Sequence, residues 1–167
     1  MYDKRSRRID NRIVSITQPY VRPIVRGKAR ADVEFGAKVA VSLVDGYVMM
    51  EELSWDAFHE GNTLQQSVEA YHQRHGCYPE AVIADKIYRT RENRRYCKER
   101  NIRLSGPRLG RPPKHESAAE KQQAKQEASE RNEIEGKRGE GKRPYGLGLI
   151  QARLQQTSET VIALQFL

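Results

Sequence analysis

The stretch from Val33 to Leu53 limits the fold more than any other. In VEFGAKVAVSL, residues 33–43, Val33, Phe35, Ala37, Val39, Val41 and Leu43 fall on one side of an alternation, and Glu34, Lys38 and Ser42 on the other. A period of two marks a half-buried strand, because successive side chains of an extended chain point to opposite faces. Asp45-Gly46 follows, a pair favoured where both central residues of a two-residue turn take positive φ. Residues 47–53, YVMMEEL, then read as the returning strand. A lone hairpin is marginal in water, so further elements must cover it.

The chain downstream supplies them. Residues 62–75 predict a helix, with Asn62 as N-cap, Gln65 as its reciprocal partner, and Leu64, Val68, Tyr71 and His75 at helical spacing. Gly76 ends it. Tyr78-Pro79 leads into a short strand over 81–85. Thr90 caps a helix over 91–100, and IRLS, residues 102–105, is another short strand. Strand, helix and strand at this spacing predict a parallel crossover. The loop SGPRLGRPPK, 105–114, is too rich in Gly and Pro for regular structure. Residues 115–135 favour helix by propensity, with a disordered charged linker as the alternative that composition leaves open. Gly136, Gly139 and Gly141 are expected to break that segment, and residues 157–166 to form an apolar helix. A hairpin followed by parallel crossovers predicts a mixed α/β sheet with carboxyl-terminal helices.

Charge is distributed in blocks. Residues 1–30 carry nine Lys/Arg against two acids, residues 31–80 two against nine, and residues 86–114 eleven against two. Basic blocks around an acidic, apolar-patterned one suggest a polyanion-binding surface on a folded body. Three parts are expected: a basic extended arm over 1–30, a core over 31–114, and helices over 115–167. Pro19 and Pro23 argue against helix in the arm, whereas RIVSI, residues 12–16, has the pattern of one short strand. No apolar run reaches the roughly 18 residues of a membrane span, and MYDKRSRRID lacks the apolar region of a secretory signal. Cys77 and Cys97 make neither a disulfide framework nor a zinc pattern, which fits a reducing cytoplasm.

Two acids carry the candidate chemistry. Asp85 ends the short apolar run AVIAD, and in open α/β sheets ligands bind outside the carboxyl ends of strands. The plain alternative is that Asp85 caps the turn after the strand. Arg131 and Glu135 are four apart, so on a helix they share a face. An acid on a helix facing an acid at a strand end can hold a hard divalent cation. A surface ion pair between Arg131 and Glu135 is the simpler reading of spacing alone. His72 and His75 read as helix-face residues rather than metal ligands, and Trp55 and Tyr88 as packing residues before base-stacking ones.

A wider set of motifs resembles the carboxyl-terminal part of bacterial insertion-sequence DDE transposases. The matching stretches are RPIVRGKA (22–29), VEFGAK (33–38), LSWDAF (53–58), YPE (78–80), ADKIYRTRENR (84–94), residues 97–114, RNEIEGKRGEGKRPYGLG (131–148) and TSETVIALQFL (157–167). The resemblance implies a partial ribonuclease H-like fold whose first, central strand is missing. It implies Asp85 as the second catalytic carboxylate and Glu135 as the third, with Arg131 and Lys142 beside it. Both acids would be metal ligands, for Mg2+ or Mn2+ in the intact parent. Arg89, Arg91, Arg94, Arg95, Arg108, Arg111 and Lys114 would contact nucleic acid. Where the family often has a tyrosine three positions before the arginine, this chain has Ala128.

Residues 1–30 do not supply the first catalytic aspartate of the family: Asp10 follows no apolar run, and Asp45 belongs to the hairpin turn. Two carboxylates do not fix two cations about 3.5–4 Å apart, as in-line transfer needs. The expectation is therefore a DNA-transposition enzyme in truncated or decayed form, inactive alone. The alternative is a non-catalytic DNA-binding or transposase-interfering remnant. The implied partners are DNA, both transposon ends and target, and a further copy or intact transposase, in a cytoplasmic, nucleoid-associated setting with no membrane.

Overall fold

A computed structural model of the chain describes residues 12–28, 31–105 and 117–166. The expected hairpin is present. Strand β3 (Lys38–Val44) pairs antiparallel with β4 (Tyr47–Ser54), and Asp45 and Gly46 both take positive φ, 50° and 84°. The alternation over 33–43 is not one strand, however. Gly36 has φ 137°, a conformation open to glycine, and it divides the run. Residues before it form β2 (Ala31–Phe35), which pairs antiparallel with β1 (Pro23–Lys28) in a sheet of its own. A bulge between Ala40 and Val41 shifts the register of β3 as well. Ala40, on the side that alternation marks as polar, is thus the most buried residue of that strand.

Helix α1 (Leu64–His75) buries Leu64 and Val68 as its spacing predicts and ends on left-handed Gly76. Its start differs from expectation. Residues 60–62 form a 3-10 turn, Thr63 follows in helical conformation, and its hydroxyl donates back to Glu60 O instead of accepting. Asn62 is therefore not the cap, and Gln65 donates to Asn93 Oδ1 rather than closing a capping box. The crossover runs as expected: β5 (Ala81–Ile83), α2 (Arg91–Glu99), then β6 (Arg103–Ser105) parallel to β5. Thr90 Oγ1 accepts from Asn93 N at 3.1 Å and caps α2.

The core joins the two helices to this crossover. Leu64 and Val68 meet Tyr96, Cys97 and Ile102, and Tyr78, Val82, Tyr88 and Leu104 pack around them. Each buried Leu or Val contributes about 1.5–3 kcal/mol over its exposed state. Among the described residues the strands make three two-stranded sheets rather than one mixed sheet, because no strand bridges β3 and β5. The observed class is accordingly mixed α/β with small antiparallel and parallel sheets.

Two long-range elements complete the body. Helix α3 (Ala118–Lys142) runs through Gly136, Gly139 and Gly141, which were expected to break it. Glycine costs about 1 kcal/mol in a helix interior, and ion pairs Glu135–Arg138 and Lys137–Glu140 span that region. Helix α4 (Gln155–Leu164) is tied to the amino-terminal segment: Tyr20 Oη lies 2.6 Å from Ser158 Oγ, and Gln18 Nε2 donates to Ala152 O at 2.7 Å. Trp55 packs edge-on against Tyr20 and donates to Glu159, a fastening role. The segment 12–16 makes no strand, and Ile13 and Ile16 are 64% and 96% exposed. No helix among the described residues is long and apolar enough to cross a membrane.

Candidate functional site

Asp85 lies two residues beyond β5, at the carboxyl end of a parallel strand. Its backbone precedes a 3-10 turn over Lys86–Tyr88, and Asp85 O accepts from Tyr88 N. The side chain makes no cap hydrogen bond there. The turn-capping alternative is thus not realised, and the carboxylate, 63% exposed, lines a cleft.

The turn carrying Asp85 is held from behind. Asn93, on α2, is 2% exposed and donates through Nδ2 to Gly61 O at 2.7 Å and Tyr88 O at 2.8 Å, while Gln65 donates to its Oδ1. One amide therefore ties α1, the 60–62 turn and the 86–88 turn together. Gly61 fits there because a Cβ would lie 2.6 Å from Ile87 O. Tyr88 is packed against the core, and burial raises its phenol pKa, so packing accounts for it. Sequence reasoning did not single out Asn93. Its signal was a polar residue on the helix face otherwise formed by Tyr96 and Cys97.

Helix α3 brings the second acid. Arg131, Glu135, Arg138 and Lys142 follow at spacings of four, three and four, one face of a helix. Arg131, Glu135 and Arg138 line a cleft of about 770 Å³ that Asp85 also lines. Arg131 Nε stands 3.4 Å from Asp85 Oδ1, and Arg138 Nη1 stands 3.5 Å from Glu135 Oε1. The simple Arg131–Glu135 surface pair is not what forms: Arg131 reaches across to the strand end. Lys142 continues the same face but does not line the cleft; it is exposed at the helix end. The chain folds back there, with Leu147 N and Gly148 N donating to Gly141 O and Lys142 O.

Asp85 and Glu135, two of the seven carboxylates that line this cleft, are hard oxygen donors of the kind Mg2+ or Mn2+ takes. Among the described residues no three His, Cys, Asp or Glu side chains group as a metal site. His72 and His75 stack on Tyr78 and Tyr71 instead.

The basic residues separate into two places. Arg131 and Arg138 stand in the cleft. Arg89 and Arg94 line a second hollow of about 410 Å³, together with Lys98, Asn101 and Arg103, which sequence reasoning missed. Arg91 and Arg95 are exposed on α2, and Arg95 pairs with Glu99. Arg108, Arg111 and Lys114 lie outside the described residues. Clustered guanidinium and ammonium groups are suited to a phosphate backbone, though Arg103 is already paired with Glu127.

A family model described as a transposase DDE domain matches residues 82–167, a span that includes Asp85, the α2 arginines and Glu135. No curated protein and no solved structure matches the chain.

Proposed function

Given that the chain belongs to the transposase DDE domain family, we propose that it serves DNA transposition and contributes two carboxylates, Asp85 and Glu135, to a centre for phosphodiester chemistry. The observation that carries this reading is the shared cleft, with Asp85 at a strand end and Glu135 on α3. The two acids would hold Mg2+ or Mn2+, which supplies Lewis-acid activation of a phosphoryl oxygen. Arg131, 3.4 Å from Asp85, would neutralise a phosphate of the DNA backbone beside it. Arg138 stands in the same relation to Glu135. Lys142, further along the same face, contacts the backbone beyond the reacting bond. Arg89 and Arg94, with Lys98 and Arg103, position DNA without reading its sequence.

With two carboxylates, this chain alone binds a cation weakly and does not cut DNA. Mn2+ titration by electron paramagnetic resonance, with DNA nicking assayed in parallel, tests both statements. The expected result is one weak Mn2+ site lost in Asp85→Asn and in Glu135→Gln, with no nicking. Mn2+ binding indifferent to both substitutions would remove the site. Nicking by the chain alone that disappears in Asp85→Asn would show that the centre is complete.

A further inference from the structure

Helix α3 meets the β5–β6 crossover at two points of opposite charge. Arg103, the first residue of β6, donates through Nη1 to Glu127 Oε1 and to Ser105 Oγ, the latter at 2.8 Å. Gln123 Nε2 donates to the same Glu127 oxygen at 3.2 Å. One helical turn further on, Arg131 meets Asp85 beyond the end of β5. The Glu127 side chain is 18% exposed, and Ser105 beneath it is buried. Burial pushes the Glu127 carboxyl up, but hydrogen bonds from Ser105 and Arg103 outweigh it and leave the pKa below its ordinary value.

The order of these charges along α3 permits one register. Glu127, Arg131 and Glu135 succeed one another at intervals of four, so they share a face. A shift of one turn in one direction would set Gln123 against Arg103 and Glu127 against Asp85. The same shift in the other direction would set Arg131 against Arg103 and Glu135 against Asp85. Each displacement exchanges an attractive pair for a like-charged one, which disfavours the alternative as much as the native pairs favour the observed docking. An anchor is needed there. Gly136, Gly139 and Gly141 follow Glu135 closely, and glycine supports a helix poorly.

We propose that Glu127 is a positioning residue: its clasp on Arg103, together with Arg131 on Asp85, sets the register of α3 and so brings Glu135 to the cleft that Asp85 lines. The consequence for metal binding rests on the reading of Asp85 and Glu135 given above; the register of α3 does not.

Spin labels on the exposed native Cys77 and on Ser129→Cys, at an exposed position of α3, report that register by electron-electron distance measurement. Mn2+ titration of the same chains reports the site. Glu127→Ala removes the clasp with the best helix former in its place. It should broaden the label distance or shift it by up to about 5 Å, one helical turn, and weaken Mn2+ binding about two- to fivefold. Glu127→Arg should do the same, and adding Arg103→Glu, which restores an opposite pair, should return the label distance and Mn2+ affinity toward those of the parent. A label distance unchanged in Glu127→Ala overturns the proposal, and so does a charge exchange that fails to restore it. A changed distance with unchanged Mn2+ affinity, in chains where Asp85→Asn and Glu135→Gln do lose the ion, also overturns it. Mn2+ binding indifferent to Asp85→Asn and Glu135→Gln defeats the metal reading instead, and the label distances then decide the role of Glu127 by themselves.

Discussion

Arg131 Nε stands 3.4 Å from Asp85 Oδ1, so a helix arginine and a strand-end carboxylate are partners across the cleft. With Asp85 63% and Arg131 33% exposed, the pair is solvated, and its direct worth to stability is about 0–1 kcal/mol. Its consequence lies in competition for the carboxylate. Arg131→Gln should leave thermal stability almost unchanged while raising Mn2+ affinity about two- to fivefold, the equivalent of a half-exposed ion pair. Calorimetry and Mn2+ titration on the same preparation check this. Weaker Mn2+ binding would mean that Arg131 orients Asp85 rather than competing for it.

Asn93 makes a larger contribution to the fold than any surface pair. Asn93→Ala leaves Gly61 O and Tyr88 O without their donor in a buried place, and the cost should be roughly 2–4 kcal/mol. Thr90→Ala, which removes the cap of the same helix, should cost about 1 kcal/mol. Urea unfolding of both variants gives the comparison. Because Asn93 holds the turn after Asp85, its variant should also lose Mn2+ binding under conditions where it remains folded, and the Thr90 variant should not.

What could be read from the sequence followed the strength of local signals. Asp45-Gly46, Thr90 and Gly76 act through their own backbone, and each does what its residue type predicts. The errors arose where a distant contact decides. Asn62 and Gln65 fit a capping box, but the buried amide of Asn93 draws Gln65 away. Gly36 sits inside an unbroken alternation, and no periodicity reveals that β2 pairs with β1 instead of continuing into β3. Gly136 and Gly139 break helices by propensity alone, yet α3 is also fastened by ion pairs along its length and by Arg131 to Asp85. For the site, spacing placed Arg131 and Glu135 on one face, but only the fold brings that face to Asp85. Lys98 and Arg103 gather beside Arg89 and Arg94 through the packing of α2 on β6, which sequence order hides.

Glu69 ties stability to acid pH. Tyr96 Oη donates to its carboxylate at 2.6 Å, Tyr78 Oη at 3.2 Å, and Arg100 lies beside it while stacking on the Tyr96 ring. The Tyr96 hydrogen bond, opposed by burial and helped by Tyr78 and Arg100, holds the Glu69 pKa below its ordinary value. A carboxylate lowered on folding adds stability that is complete above its unfolded pKa and is lost as pH falls through the folded one. The stability difference between wild type and Glu69→Gln should therefore be constant above about pH 5 and shrink toward about pH 3. Thermal melts across that range check it; a difference that grows on acidification would reverse the assignment.

The second hollow makes a prediction separable from the carboxylates. If Arg94 and Lys98 meet phosphates there, replacing both with Ala should weaken DNA binding equally for unrelated sequences and lower the slope of log affinity against log salt by about 2. Asp85→Asn removes an anion from a different cleft, so it should leave that slope unchanged or steepen it slightly. Fluorescence anisotropy at several salt concentrations, with two duplexes of different sequence, measures both effects. Arg103 is a weaker choice for the test, because it is already held by Glu127 and Ser105. An unchanged slope in the Arg94/Lys98 variant, with Arg131→Gln lowering it instead, would move the DNA backbone from the α2–β6 hollow to the α3 face.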